Sequence, residues 1–166
     1  KFQSTGDIII SIGESLNPLN SPYFLQDQKI IKDTNLFNDL VDIDLDKEIL
    51  TANTLLELSK NNLIQSCNDI SRGGIFMALI KMIQKDYGFI IELPNPLNIF
   101  CEYKLGYVIT VKEDKVNKIL DLLRKKKIKY TNIGLVVKEE IKINSKNLDY
   151  FDITNKYLKN FEKIIN

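Results

Sequence analysis

The chain has 166 residues, 44% hydrophobic and 27% charged, with 23 basic against 22 acidic side chains and a net charge of +1. That length is one domain of ordinary size with enough apolar residues for a core, and the charge balance excludes a global field drawing it to nucleic acid or an anionic membrane. There is no histidine, which excludes Ser-His-Asp and Cys-His catalysis, histidine metal ligation and an imidazole base.

The opening "KFQSTGDIIISIG" has no basic stretch leading into a long apolar run, so no signal peptide is expected. It lacks an initiator Met and a strand-like run begins almost at once, as at the boundary of a piece cut from a longer chain. No apolar run approaches the roughly 20 residues that span a bilayer, so no membrane partner is expected. The β-branched run Asp7 to Gly13 predicts a buried strand, and "ESLNPLNSPYF" a loop. A helix is expected from Asp46, capped by Asp44 or Asp46, with Ile49, Ala52, Leu56 and Leu63 near one face. "QSCNDISRGG" is a loop, and Gly74 leads a helix to about Lys85 with Ile75, Leu79, Met82 and Ile83 in one stripe.

Strands are predicted over Gly88 to Leu93 and Gly106 to Val111, separated by the loop "PNPLNIFCE". Val116, Ile119, Leu120 and Leu123 mark an amphipathic helix capped by Glu113 or Asp114. "NIGLVV" is a strand, with "EIKIN" as its hairpin partner, and Ile153, Tyr157, Phe161 and Ile164 mark a last helix. This irregular alternation predicts one α+β domain over residues 1–166, a mixed β-sheet layered with helices. Cys67 and Cys101 stand far apart without a CxxC pair; a reducing, cytoplasmic setting is expected, and no zinc site.

The sharpest local feature is "CNDISRGGIFMAL". The first N–H groups of a helix lack internal partners and carry partial positive charge, and Gly73 and Gly74 let a phosphate approach them closely. Asp69 or Ser71 is placed to cap that helix or to contact a metal-nucleotide or a substrate hydroxyl, and Arg72 to add a charged contact to phosphate. The bland reading makes Ser71 an N-cap and the glycines a turn. The spacing is not that of a P-loop. Glu102 is a candidate for Mg²⁺ or a substrate amine, against the plain alternative of an exposed carboxylate. Cys101 as a nucleophile would need a positive neighbour to lower its pKa, and no histidine is present to serve. "RKKKIK" complements the dipole at a helix end more simply than it forms a nucleic-acid patch.

Taken in order, these motifs resemble a known family. The chain is similar to the C-terminal domain shared by aminoimidazole ribonucleotide synthetase and its relatives, and within that superfamily to the phosphoribosylformylglycinamidine synthases. "GDIIISIGES" resembles a strand ending in Leu-Gly-Glu-Thr, "LNSPYFL" a Leu-Gly-Gly-Ser-Glu-Tyr-Leu segment, and "VDIDLDKE" the Val-Asp-Leu-x-x-Glu that opens a long helix. "LIQSCNDISRGGIFMAL" resembles Val-x-Ser-Ala-His-Asp-Val-Ser-Asp-Gly-Gly-Leu-Ala-x-Ala-Leu, and "IFCEYKLGYVITV" resembles Leu-Phe-Gly-Glu-Ser-Gln-Gly-Arg-x-Val-Val-x-Val. "IGLV" matches Ile-Gly-x-Val.

The resemblance implies an ATP-dependent C–N ligase of purine biosynthesis. It activates the amide oxygen of formylglycinamide ribonucleotide, and ammonia from a glutaminase subunit or domain then displaces the phosphate. ATP and Mg²⁺ would sit mainly on N-terminal companion domains, and this domain, inactive alone, would supply one wall of a composite cleft. Ser21, Asp69, Ser71, Arg72, Gly73, Gly74 and Glu102 would then bind substrate or phosphate; no catalytic residue and no metal ligand of this chain is named. The chain departs from the pattern at Asn68 for His, Arg72 for Asp, Asn20 for Gly, Pro22 for Ser, Phe24 for Tyr and Cys101 for Gly. Two alternatives stand beside this: the hydrogenase maturation protein that dehydrates a carbamoyl group, whose Thr-Arg-Gly-Gly-Leu is closer to "SRGGI", and a structural domain that has lost its ligand.

Overall fold

A computed structural model describes residues 1–15, 44–84 and 86–165. The expectations that fall on Ser21, Asn20, Pro22 and Phe24 therefore lie outside the described residues. The strands among them are β1 (Ile8–Ser15), β2 (Ser66–Asp69), β3 (Tyr87–Ile91), β4 (Tyr103–Val111), β5 (Tyr130–Lys138), β6 (Ile141–Ile143) and β7 (Lys146–Leu148). They form one sheet in the order β2-β4-β1-β5-β3-β6-β7, antiparallel throughout except for the parallel pair β3–β6. The α-helices are α1 (Leu45–Lys60), α2 (Gly74–Met82), α3 (Val116–Lys125) and α4 (Tyr150–Ile165). The fold is the expected α+β arrangement with a mixed sheet.

Because side chains alternate along a strand, consecutive isoleucines of β1 serve two cores. Ile9 joins Phe89, Val108, Val136 and the buried face of α2, with Tyr150 of α4. Ile10 and Ile12 join Ile109, Leu55 and Leu58 of α1, and Ile119 and Leu123 of α3. The sheet thus separates two apolar layers, each closed by helices.

Several local expectations need correction. α1 begins where predicted, with Asp44 accepting a hydrogen bond from the Lys47 N–H at 3.0 Å, but it rests on another face: Ile49 is 59% and Leu56 56% exposed, while Thr51, Thr54, Leu55 and Leu58 are buried. The Thr54 hydroxyl satisfies itself by donating to the Leu50 carbonyl at 2.7 Å, so a threonine face can be buried without an orphan group. α3 is capped by Lys115 with no side-chain bond, because Glu113–Lys115 form a separate 3-10 turn. β6 does not form a hairpin with β5, whose two edges are already taken by β1 and β3; it adds to β3 and turns back into β7.

Candidate functional site

The registers bring three of the motif segments to one end of the sheet. β1 and β2 both run antiparallel to β4, with Ser15 opposite Tyr103, Glu14 opposite Lys104 and Asp69 opposite Tyr107. The carboxyl ends of β1 and β2 and the amino end of β4 therefore point the same way, although 54 positions separate Ser15 from Asp69 and 34 separate Asp69 from Tyr103. Beyond Asp69 the buried Ile70 fastens the chain, its N–H donating to the Gly106 carbonyl at 2.7 Å. Ser71 and Arg72 follow on the surface.

Gly73 and Gly74 have φ of +85° and +65°, the left-handed region that glycine enters without penalty. The Gly74 N–H donates to the Ser71 carbonyl at 2.9 Å, which closes the turn. Gly73, not Ser71, is the N-cap of α2, and no side chain caps it. The capping role considered for Ser71 and Asp69 is thereby overturned: the turn is made by backbone alone, which leaves the side chains and the positive end of the helix to other uses.

A Cβ on Gly74 would lie 2.5 Å from the Ile99 carbonyl oxygen, 2.6 Å from the Phe100 carbonyl carbon and 2.8 Å from the Cys101 nitrogen. The glycine turn thus abuts the 3-10 turn Pro96–Phe100 that delivers the half-buried Glu102. The expected loop is thus part strand: Asp69 ends β2, Ser71, Arg72, Gly73 and Gly74 follow on the turn after it, and the segment leading to Glu102 is seated against that turn. Asn68, in place of the family's histidine, bonds the Asp69 carbonyl at 3.2 Å and the Ala78 carbonyl of α2 at 3.4 Å, bracing the loop to its helix.

Both thiols are shifted away from the thiolate form that a nucleophile needs. The Cys67 thiol is pushed up to about 11, by loss of hydration first and by the Asp69 carboxylate second, and burial raises Cys101 as well. Among the described residues no three His, Cys, Asp or Glu side chains are grouped to hold a metal ion. In the "RKKKIK" run Arg124 pairs with Asp121 at 2.7 Å and Lys126 with Glu57 at 2.8 Å, as solvated ion pairs at a helix end.

The sequence reading did not nominate Glu14 or Phe100. Glu14 closes β1 at the same sheet end, and its hydrogen-bonded ion pair with Lys129 holds its carboxyl below the usual range. Its place directly after Gly13 in "SIGES" was the available signal. Phe100 is 48% exposed and meets Phe76, on the first turn of α2, edge to face at 5.6 Å.

The family model described as "AIR synthase related protein, C-terminal domain" matches residues 4–145. The phosphoribosylformylglycinamidine synthase subunit PurL of Helicobacter hepaticus is 25% identical over 171 residues, covering 99% of this chain but 22% of that protein. The chain thus spans about a fifth of the length of the curated relatives it matches. Thermotoga maritima PurL complexed with FGAR superposes with a TM-score of 0.73 at 17% identity, over 93% of this chain and 29% of that one. PurLQS of the same organism gives 0.71 at 16% identity, over 93% and 27%. Among the described residues no helix is long and apolar enough to cross a membrane.

Proposed function

The chain belongs to the family of AIR synthase related proteins, as its C-terminal domain, and on that premise we propose that it serves within a phosphoribosylformylglycinamidine synthase. The reaction activates the amide oxygen of formylglycinamide ribonucleotide with ATP, releasing ADP. Ammonia then adds at that carbon and phosphate leaves, giving the amidine of de novo purine biosynthesis. Companion domains of a longer chain carry most of the ATP and Mg²⁺ contacts, a glutaminase subunit or domain supplies the ammonia, and the setting is the cytoplasm. This domain contributes one wall of the cleft and has no activity alone.

The observation that carries this reading is the packing of the Gly73–Gly74 turn against the backbone entering Glu102, at the sheet end where β1 and β2 also finish. No side chain caps α2, and with the Gly74 N–H taken by the Ser71 carbonyl the next N–H groups of the first turn are the ones proposed to face a phosphate. Arg72 adds positive charge beside it, and Asp69, Ser71 and Glu102 offer acceptors and a hydroxyl for the polar remainder. Ser21 belongs to the same proposed set. Exchanging the family's Asp for Arg72 favours an anion and disfavours a cation at this spot.

The test is ADP release by the complete native chain with formylglycinamide ribonucleotide and ammonium chloride, which makes the glutaminase unnecessary. Release that depends on the ribonucleotide supports the reading; a folded chain that releases none, at any ammonium concentration, overturns it.

A further inference from the structure

On the sheet face that carries α2, a cleft of about 160 Å³ opens between the end of β1 and the segment running from Leu93 to Asn98. Leu93 and Ile133, which line it, belong to the same apolar layer as α2. Its polar lining is the hydroxyl residues Ser11, Tyr103 and Thr131 and the carboxamide residues Asn95 and Asn98, and no charged residue lines it among those described. Hydroxyls and carboxamides both donate and accept, so they match a group of the same kind; they offer nothing to balance a phosphate or an ammonium. The Ser11 hydroxyl reaches the Thr131 carbonyl only at 3.4 Å, beyond the usual 2.5–3.0 Å for such a bond.

Pockets that enclose a whole small ligand run to roughly 300–1,000 Å³, so this one takes part of a ligand. Its position says which part. Asn98 lies in the 3-10 turn whose backbone presses on Gly74, so the cleft and the glycine turn are two sides of one short segment. We propose that this cleft holds the uncharged, hydrogen-bonding portion of the ribonucleotide, its ribose hydroxyls or amide, while the glycine turn takes the phosphate. The inference rests on the substrate assignment above.

The test titrates the complete chain calorimetrically with formylglycinamide ribonucleotide and, separately, with inorganic phosphate, comparing wild type with Asn98→Leu and Thr131→Val. Thr131 is exposed on β5 and valine suits a strand, so the second variant remains informative if the first fails to fold. Each variant is expected to weaken ribonucleotide binding about ten-fold, as for a polar group left without its partner, with phosphate binding unchanged. Wild-type ribonucleotide affinity in the folded variants overturns the inference and leaves the substrate assignment standing. Equal loss of phosphate binding marks a general disruption and overturns the inference too. A wild-type chain that binds no ribonucleotide overturns both.

Discussion

Gly74 is pressed against Ile99, so closely that a Cβ on the glycine would lie 2.5 Å from the Ile99 carbonyl oxygen. Two penalties coincide there: a left-handed φ of +65° and an overlap with backbone that cannot swing aside. Gly74→Ala is expected to destabilise by about 3 kcal/mol or more. Gly6 separates the terms, since its φ is +84° but nothing lies within 4 Å of its Cβ position. Gly6→Ala should cost only about 1 kcal/mol. Urea unfolding of both variants checks the pair, and equal costs would show that the contact with Ile99 contributes nothing.

Asp7 is 3% exposed, and among the described residues its Oδ2 has no hydrogen-bond partner. Burial raises its pKa above the ordinary carboxylate value, opposed by a hydrogen bond from the Ser4 backbone and by the charge of Lys112. A raised folded-state pKa means that the carboxyl's contribution to folding is fully present below its unfolded value of about 3.9 and is lost as pH rises through the folded value. Asp7→Asn should therefore raise the melting temperature at pH 7 and lose that advantage near pH 3. Melting curves across that interval decide it; a variant less stable at pH 7 than the parent shows that Asp7 is held by a favourable contact instead.

The Ser66 and Thr110 hydroxyls meet at 2.6 Å inside the β2–β4 ladder. Ser66→Ala leaves the fully buried Thr110 hydroxyl without that partner and should cost about 1–3 kcal/mol. Adding Thr110→Val removes the orphan, so the double variant is expected to be no less stable than the single one. Denaturant titrations of the four-member cycle measure this coupling directly, and strict additivity would contradict it.

Reading faces from sequence succeeded where every apolar residue was a good witness and failed on α1. In α2 the predicted Ile75, Leu79 and Met82 are buried, because the helix sits wholly within one apolar layer. In α1 a count of apolar residues picked Ile49 and Leu56, which face outward, over the buried Thr51 and Thr54. The contrast is measurable: Leu58→Ala should cost about 2–5 kcal/mol, while Leu56→Ser should stay within about 0.5 kcal/mol. Thermal unfolding that shows comparable losses would reinstate the predicted face. The order β2-β4-β1-β5-β3-β6-β7 and the contact of Gly74 with Ile99 were illegible for a related reason: both join residues far apart in the chain, and local pattern carries no record of such pairings. The glycine turn itself was legible because its chemistry is local, a left-handed pair ahead of an apolar helical run.

Ser71 separates a structural from a binding role for that turn. If its hydroxyl capped α2, Ser71→Ala would cost about 1 kcal/mol. The cap is instead Gly73, without a side-chain bond, and Ser71 enters the turn through its backbone carbonyl, which alanine keeps. Stability should therefore change by less than about 0.5 kcal/mol. On the proposed function, the same substitution in the complete chain should raise KM for formylglycinamide ribonucleotide several-fold, through one lost hydrogen bond of about 0.5–1.5 kcal/mol, and leave the melting temperature alone. Unfolding curves and steady-state kinetics on one preparation give both numbers. A lower melting temperature with unchanged KM would return the hydroxyl to the fold and take it out of the proposed site.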